Sequence, residues 1–345
     1  MRQFFFFFLI LTIKEAVCKI LAVILLLPTG YCLSDSNNTI TAANPFESIE
    51  NPYIVEYLNP DIAAHRSGAG NAPQNTLMAF ENIIEKCDDC CVDTLEFDVQ
   101  ITADGELVLQ HDLTYDNTSN AVEAFGKKNV YVSSLTFEEA QVLNLGENFE
   151  VDGEYPYRGL RGDEIPENLR VVTCDSIIDY VEANCGDKKY NYLIEVKSIG
   201  ADGKRAVDKL YSIISERNLT DRTVWSTFAP DVSSYMKSDY PEIPRTADAI
   251  EAVGFYLCFA MGIDLKETNP SYVALQIPYG GMINDFIDLG SEEMLYYAHS
   301  YNIAVQYWTI NEEEDVKRLT ENGADCIITD YPEMAYNVIE ECKNQ

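Results

Sequence analysis

Eight short segments rich in β-branched and aliphatic residues recur along the chain with helix-like stretches between them, and this alternation restricts the fold more than any other feature. The segments are Ile62–His65, Thr94–Val99, Tyr192–Val196, Thr223–Ser226, Thr246–Ala249, Val273–Gln276, Ala304–Tyr307 and Cys326–Thr329. Helical spacing fills the intervals, as in Leu77, Phe80 and Ile84, and again in Val207, Leu210 and Ile214. Eight strands joined by helices close a (β/α)8 TIM barrel, the α/β architecture expected here over residues 59–345. A 47% hydrophobic and 11% aromatic composition supplies the core that such a barrel needs. One interval is too long for a connection: between His111 and the helix-like stretch from Cys174 lie Tyr, Gly, Asn and acidic residues with a short helix signal over 136–143. This predicts a small subdomain inserted after the second strand, over about residues 113–170, placed to cover a site at the strand ends.

The second constraint is chemical. Two of the three histidines, His65 and His111, bracket Thr94–Val99, and that segment carries Glu96 and Asp98 two residues apart. In an extended chain both carboxylates face one way, while Leu95, Phe97 and Val99 face the other. Paired carboxylates on a buried strand offer hard oxygen ligands to Ca2+ or Mg2+ and leave the histidines for proton transfer. The same alternation puts Glu195 and Lys197 on one face of a later strand. In a barrel the reactive residues gather at the C-terminal strand ends, where His65, Asp98, Lys197, Trp308 and Asp330 would meet despite their separation in sequence.

These motifs resemble those of the glycerophosphodiester phosphodiesterases. His65-Arg66-Ser67, Pro73-Gln74-Asn75-Thr76, Glu96-Phe97-Asp98, Asp104-Gly105 and His111-Asp112 follow the family's order, as do Glu195 with Lys197, Trp308-Thr309-Ile310-Asn311 and Thr329-Asp330-Tyr331-Pro332. The likeness runs from about residue 60 to 340. It implies catalysis by His65 and His111, a divalent cation on Glu96, Asp98 and Glu195, and substrate or phosphate contacts from Arg66, Lys197 and Trp308. It also implies a small glycerophosphodiester as substrate, cleaved to glycerol 3-phosphate and an alcohol. Two positions depart from the family pattern: Ser67 stands where it has glycine, and Gln74 where it has glutamate. Neither is a position the family uses for metal or proton transfer.

Residues 1–33 hold two apolar runs, Phe4 to Ile13 and Ala16 to Leu27, and read as a signal peptide or membrane anchor. Residues 34–58 are polar and read as a linker. The expectation is therefore a secreted or cell-surface protein, tethered through its N-terminus if the leader is retained. A net charge of −33 argues against nucleic acid and anionic membranes as partners, and no protein partner is evident. Such a surface repels an anionic substrate, so Arg66 and the cation must reverse the potential locally. Cys87, Cys90 and Cys91 have zinc-like spacing without the remaining ligands. His299 sits at a helix end and reads as structural. Two other activities remain open. A phospholipase of sphingomyelinase D or phospholipase C type would show an apolar rim on the insertion. A non-catalytic calcium-binding module would need neither histidine pair nor Lys197.

Overall fold

The computed structural model describes residues 51–86, 92–280 and 287–344. In chain order the elements are β1 (Asp61–Ala64), α1 (Leu77–Lys86), β2 (Thr94–Ile101), β3 (Leu107–Leu109), α2 (Ala121–Ala124), α3 (Phe137–Ala140), α4 (Cys174–Asn184), β4 (Asn191–Val196), α5 (Gly200–Glu216), β5 (Thr223–Ser226), α6 (Pro230–Asp239), α7 (Ala249–Met261), β6 (Ala274–Pro278), α8 (Glu292–Ser300), β7 (Ala304–Trp308), α9 (Glu313–Asn322), β8 (Cys326–Thr329) and α10 (Pro332–Lys343). Seven parallel strands run in the order β5, β4, β2, β1, β8, β7, β6, and β3 pairs antiparallel with β2.

The gap between β5 and β6 is spanned by two residues. Arg245 pairs in parallel with Trp225, and Thr246 with Ala274. Backbone bonds from Thr246 N to Trp225 O (2.9 Å) and from Ala247 N to Ala274 O (2.8 Å) join the curled sheet's edges into a TIM barrel. The strand expected over Thr246–Ala249 is thus only a bridge, because a helix begins at once. Asp248 Oδ1 accepts from Ile250 N and Glu251 N at 2.9 and 3.0 Å, and the Glu251 carboxylate accepts from Asp248 N at 3.1 Å, a reciprocal cap that starts α7. The extra strand, β3, was not expected. Asp104 and Gly105 turn the chain back on β2, with Gly105 at φ +92°, where a side chain would be strained.

Strand alternation divides the interior as the sequence predicts. Leu95, Phe97 and Val99 pack outward among Phe80 and Ile83 of α1, Ile177 of α4 and Leu210 of α5. Phe80 and Phe97 meet edge to face with centroids 5.5 Å apart. Inward, Ala63, Leu193, Val224, Cys326 and Ile328 fill the barrel below the carboxylates. A second outer core joins α7 to α10 to the other half of the sheet.

The folded unit begins earlier than residue 59. Asn51 Nδ2 donates to Val273 O (2.7 Å) and Asn302 O (2.9 Å), and Val55 N donates to Asp325 Oδ1 (3.1 Å), so the end of the expected linker packs across the barrel floor. Polar composition concealed this because the attachment combines amide hydrogen bonds from Asn51 with only two apolar anchors, Ile54 against Ala274 and Ala304 and the partly buried Tyr53. The leader and residues 34–50 lie outside the described residues, as do Cys87, Cys90 and Cys91. On the same floor His299 Nε2 meets Asp325 Oδ2 at 2.7 Å, the structural role expected of it. Burial, with the charges of Asp93 and Asp325, pushes the Asp61 carboxyl up to about 7. Among the described residues Cys174, Cys185, Cys258, Cys326 and Cys342 are free thiols, and no helix is long and apolar enough to cross a membrane.

The chain between β3 and α4 has a core of its own, built on Tyr115, Val130, Val132, Leu143 and Leu145. Its α3 is started by Thr136, whose Oγ1 accepts from Glu139 N at 3.1 Å. Its exposed large apolar side chains are only Val142 and Val151, which is no apolar rim.

Candidate active site

β1 ends in a tight turn, His65–Ser67, that aims two functional side chains over the barrel mouth. Arg66 and Ser67 both adopt left-handed backbone, with φ +48° and +62°. The turn is held by the carboxylate below it, since Arg66 N donates to Glu96 Oε2 at 2.7 Å. Ser67 is fully buried and its hydroxyl has no hydrogen-bond partner. Both the left-handed backbone and the orphaned hydroxyl cost stability. Ser67→Gly is therefore expected to stabilise the protein by about 1 kcal/mol, net of glycine's larger backbone entropy. Urea unfolding at constant slope would show this as a higher midpoint; a lower midpoint would mean the hydroxyl is used.

Glu96, Asp98 and Glu195 project from the neighbouring strands β2 and β4, and one oxygen of each lies within 4.8 Å of the others. Asp98 and Glu195 face each other in register across the two strands. All three are buried. Lys197 Nζ stands 2.6 Å from Glu195 Oε1 and 3.3 Å from Asp98 Oδ1, while Arg66 Nε lies 3.6 Å from Asp98 Oδ2. Burial would raise the Asp98 carboxyl, but Lys197, His111 and Arg66 hold it well below the usual carboxylate range. Glu96 goes the other way: burial and the Asp98 charge push it up to about 7. Burial also disfavours the charged Lys197, yet Glu195 and Asp98 more than offset that and raise its pKa.

Each histidine is held through Nδ1 by a carboxylate, leaving Nε2 as the nitrogen available for proton exchange. His65 Nδ1 meets Asp330 Oδ1 at 2.7 Å. Asp330 is fixed by Asn311, whose Nδ2 donates to Oδ2 at 2.7 Å and whose Oδ1 accepts from Asp330 N at 3.0 Å. Burial lowers the His65 pKa, but the Asp330 hydrogen bond and the Glu96 charge overcome it and raise the group above its usual value. His111 Nδ1 meets Asp112 Oδ1 at 2.8 Å. The insertion takes part here, because Asn117 Nδ2 donates to Asp112 Oδ2 at 2.7 Å and Asn148 Nδ2 to Asn117 O at 2.9 Å.

Every site residue expected from sequence is thus at the C-terminal mouth of the barrel. Trp308, the last residue of β7, stacks against Phe228 with centroids 5.8 Å apart, and Lys197 Nζ lies 5.6 Å from the Phe228 ring centre. Sequence reading missed Phe228 and Asn75. Asn75 grips Asp98 twice, from Nδ2 to Oδ2 at 2.9 Å and by accepting from Asp98 N at 3.1 Å. Its signal was the Asn75-Thr76 pair opening α1, where Thr76 turns the chain. Phe228 had none, since an aromatic two residues past a strand reads equally as core.

The family model for the glycerophosphoryl diester phosphodiesterase family matches residues 65–334. The chain belongs to that family. A glycerophosphodiester phosphodiesterase from Caldanaerobacter subterraneus is 28% identical over 280 residues, covering 81% of this chain and 98% of that relative. Among solved structures, an Oleispira antarctica phosphodiesterase in complex with the product sn-glycerol 3-phosphate superposes with a TM-score of 0.60 at 19% identity, covering 81% of this chain and 97% of the other. A glycerophosphodiester phosphodiesterase from Agrobacterium tumefaciens does so with a TM-score of 0.58 at 18% identity, covering 81% and 100%. As a member of the glycerophosphoryl diester phosphodiesterase family, the chain is a phosphodiesterase, and its fold is the TIM barrel those structures share.

Proposed function

We propose that this protein hydrolyses small glycerophosphodiesters to glycerol 3-phosphate and an alcohol, with Ca2+ or Mg2+ bound by Glu96, Asp98 and Glu195. The observation that carries the reading is the pair of Nδ1-anchored histidines on either side of a buried three-carboxylate cluster. The cluster fits a hard divalent cation. Burial, together with the neighbouring Asp98 charge, pushes Glu96 up to about 7, so a cation there would relieve a strained carboxyl group, and the oxygens of the three carboxylates converge at ligand spacing. Once bound, the ion supplies positive charge to the nonbridging phosphate oxygens.

The remaining work falls to side chains. Arg66 and Lys197 donate charge-assisted hydrogen bonds to the phosphate, and Trp308 walls the pocket. One histidine takes a proton from the attacking hydroxyl and the other delivers one to the leaving oxygen. The attacking group is water, which gives glycerol 3-phosphate in one step, or the substrate's own glycerol hydroxyl, which expels the alcohol to leave a cyclic phosphate that water then opens in a second step with the two histidines exchanging roles. Asp330 and Asp112 hold the two imidazoles in the tautomer that leaves Nε2 exposed to them. A calcium-binding module has no use for this second set of pairs, and the insertion lacks the apolar rim a lipid-cleaving enzyme would present. The reading includes export through residues 1–33, testable by the mass of the protein recovered outside the cell. The activity test is release of sn-glycerol 3-phosphate from glycerophosphocholine with Ca2+, with Mg2+ and with chelator. Metal-dependent release is expected; folded, metal-loaded protein inert on every glycerophosphodiester would overturn the reading.

A further inference from the structure

Arg66 is the one cation of the site whose principal partner is neutral. Its Nη1 donates to the side-chain carbonyl of Gln74, Oε1, at 2.5 Å. The nearest carboxylate oxygen, Asp98 Oδ2, is 3.6 Å from Arg66 Nε and already accepts from Asn75 Nδ2 at 2.9 Å. Nε itself is buried and has no hydrogen-bond partner. Lys197, by contrast, is engaged by two carboxylates. The guanidinium is therefore oriented by a neutral group, with only the longer approach to Asp98 drawing on its charge, and it keeps a buried donor unfilled.

The segment carrying Gln74 is rigid enough to orient a partner. Asn75 N donates to Arg66 O at 3.1 Å, which ties the two loops together through their backbones. Thr76 Oγ1 donates to Pro73 O at 2.6 Å and closes the turn around Gln74. Asn75, the next residue, is clamped to Asp98.

Resting on the function proposed above, we infer that Gln74 is a positioning residue for phosphate. It holds Arg66 toward the substrate with a neutral acceptor, so that this contact leaves the guanidinium charge to the anion. The identity of the acceptor matters because the charge on this protein is −33, and an anionic diester approaches against that field. The carboxylate that the family carries at position 74 would hold Arg66 at least as firmly, yet in this strongly acidic chain it would offset part of the charge that attracts the phosphate. Amide and carboxylate have nearly the same shape, so the exchange separates charge from packing.

The test is Gln74→Glu beside Gln74→Ala in the metal-loaded, full chain, with kcat and KM measured on glycerophosphocholine and glycerophosphoethanolamine. Inhibition by sn-glycerol 3-phosphate and the Tm are measured alongside. Gln74→Glu is expected to raise KM about tenfold, by the same factor for both diesters because the effect lies on the phosphate they share. Product inhibition should weaken by a similar factor, kcat should change less than about threefold, and Tm should hold or rise because an ion pair has been added. Gln74→Ala should also raise KM, through loss of orientation. A purely structural Gln74 would give a lower Tm in Gln74→Ala and an unchanged KM in Gln74→Glu, and that result overturns the inference while leaving the proposed function standing. A wild-type protein that neither cleaves the diesters nor binds sn-glycerol 3-phosphate overturns both.

Discussion

His111→Ala is expected to reduce hydrolysis of glycerophosphocholine by about 10^3-fold while moving Tm by only about 1 °C. The two halves of this result come from the same geometry. His111 is a third exposed, and its Nδ1 partner is the equally exposed Asp112. Removing it empties no apolar core position and takes from the buried Asp98 only one of the charges that hold it ionised, so the activity that disappears is lost to chemistry rather than to unfolding. His65→Ala should cost similar activity but also stability, since His65 is less exposed than His111 and its removal takes the partner from Asp330 Oδ1. The pair of variants also assigns roles. A 4-nitrophenyl leaving group departs without protonation, so the variant that lacks the general acid should recover most of its deficit on a 4-nitrophenyl diester, whereas the variant that lacks the base should not. Equal residual activity of His111→Ala and wild type on glycerophosphocholine would remove His111 from the mechanism.

What could be read without coordinates was whatever strand periodicity determines. Glu96 and Asp98 face inward and Leu95, Phe97 and Val99 outward because β2 is extended, and nothing later in folding can reverse an alternation of period two. The gathering of His65, Lys197, Trp308 and Asp330 follows from the barrel, in which strand ends separated by over two hundred residues share one rim. Contacts that depend on a loop doubling back were not legible. Asn75 reaches Asp98 only because left-handed backbone at Arg66, Ser67 and Asn75 folds that loop down over the carboxylates. The bridge at Arg245 and Thr246 reads from sequence as a full strand because it falls where the β/α alternation calls for one, and the deciding signal is the Asp248–Glu251 cap that starts α7. The packing of residues 51–58 was hidden for the complementary reason, since Asn51 attaches through its amide and its composition resembles a linker.

On the function proposed above, removing the divalent ion should abolish hydrolysis and also make stability fall more steeply as pH rises. Without the ion, burial and the Asp98 charge push Glu96 up to about 7 from the ordinary 4.5. An acid whose pKa is raised by folding contributes stability that is complete below the unfolded value and is lost as pH rises through the folded one. Chelated protein should therefore weaken between about pH 4.5 and 7, by about 3 kcal/mol from Glu96 alone. Asp61, also pushed up to about 7 by burial on the barrel floor, weakens the protein in the same window whether or not the ion is bound. The ion must displace the Glu96 proton to bind below pH 7, so its affinity should fall about tenfold per pH unit there. The gap in Tm between metal-loaded and chelated protein should accordingly widen from pH 5 to 7 and then level off. Asp61→Asn should flatten only the part common to both forms, and Glu96→Gln should remove the widening. A gap of constant size across this range would mean that the ion does not bind through Glu96.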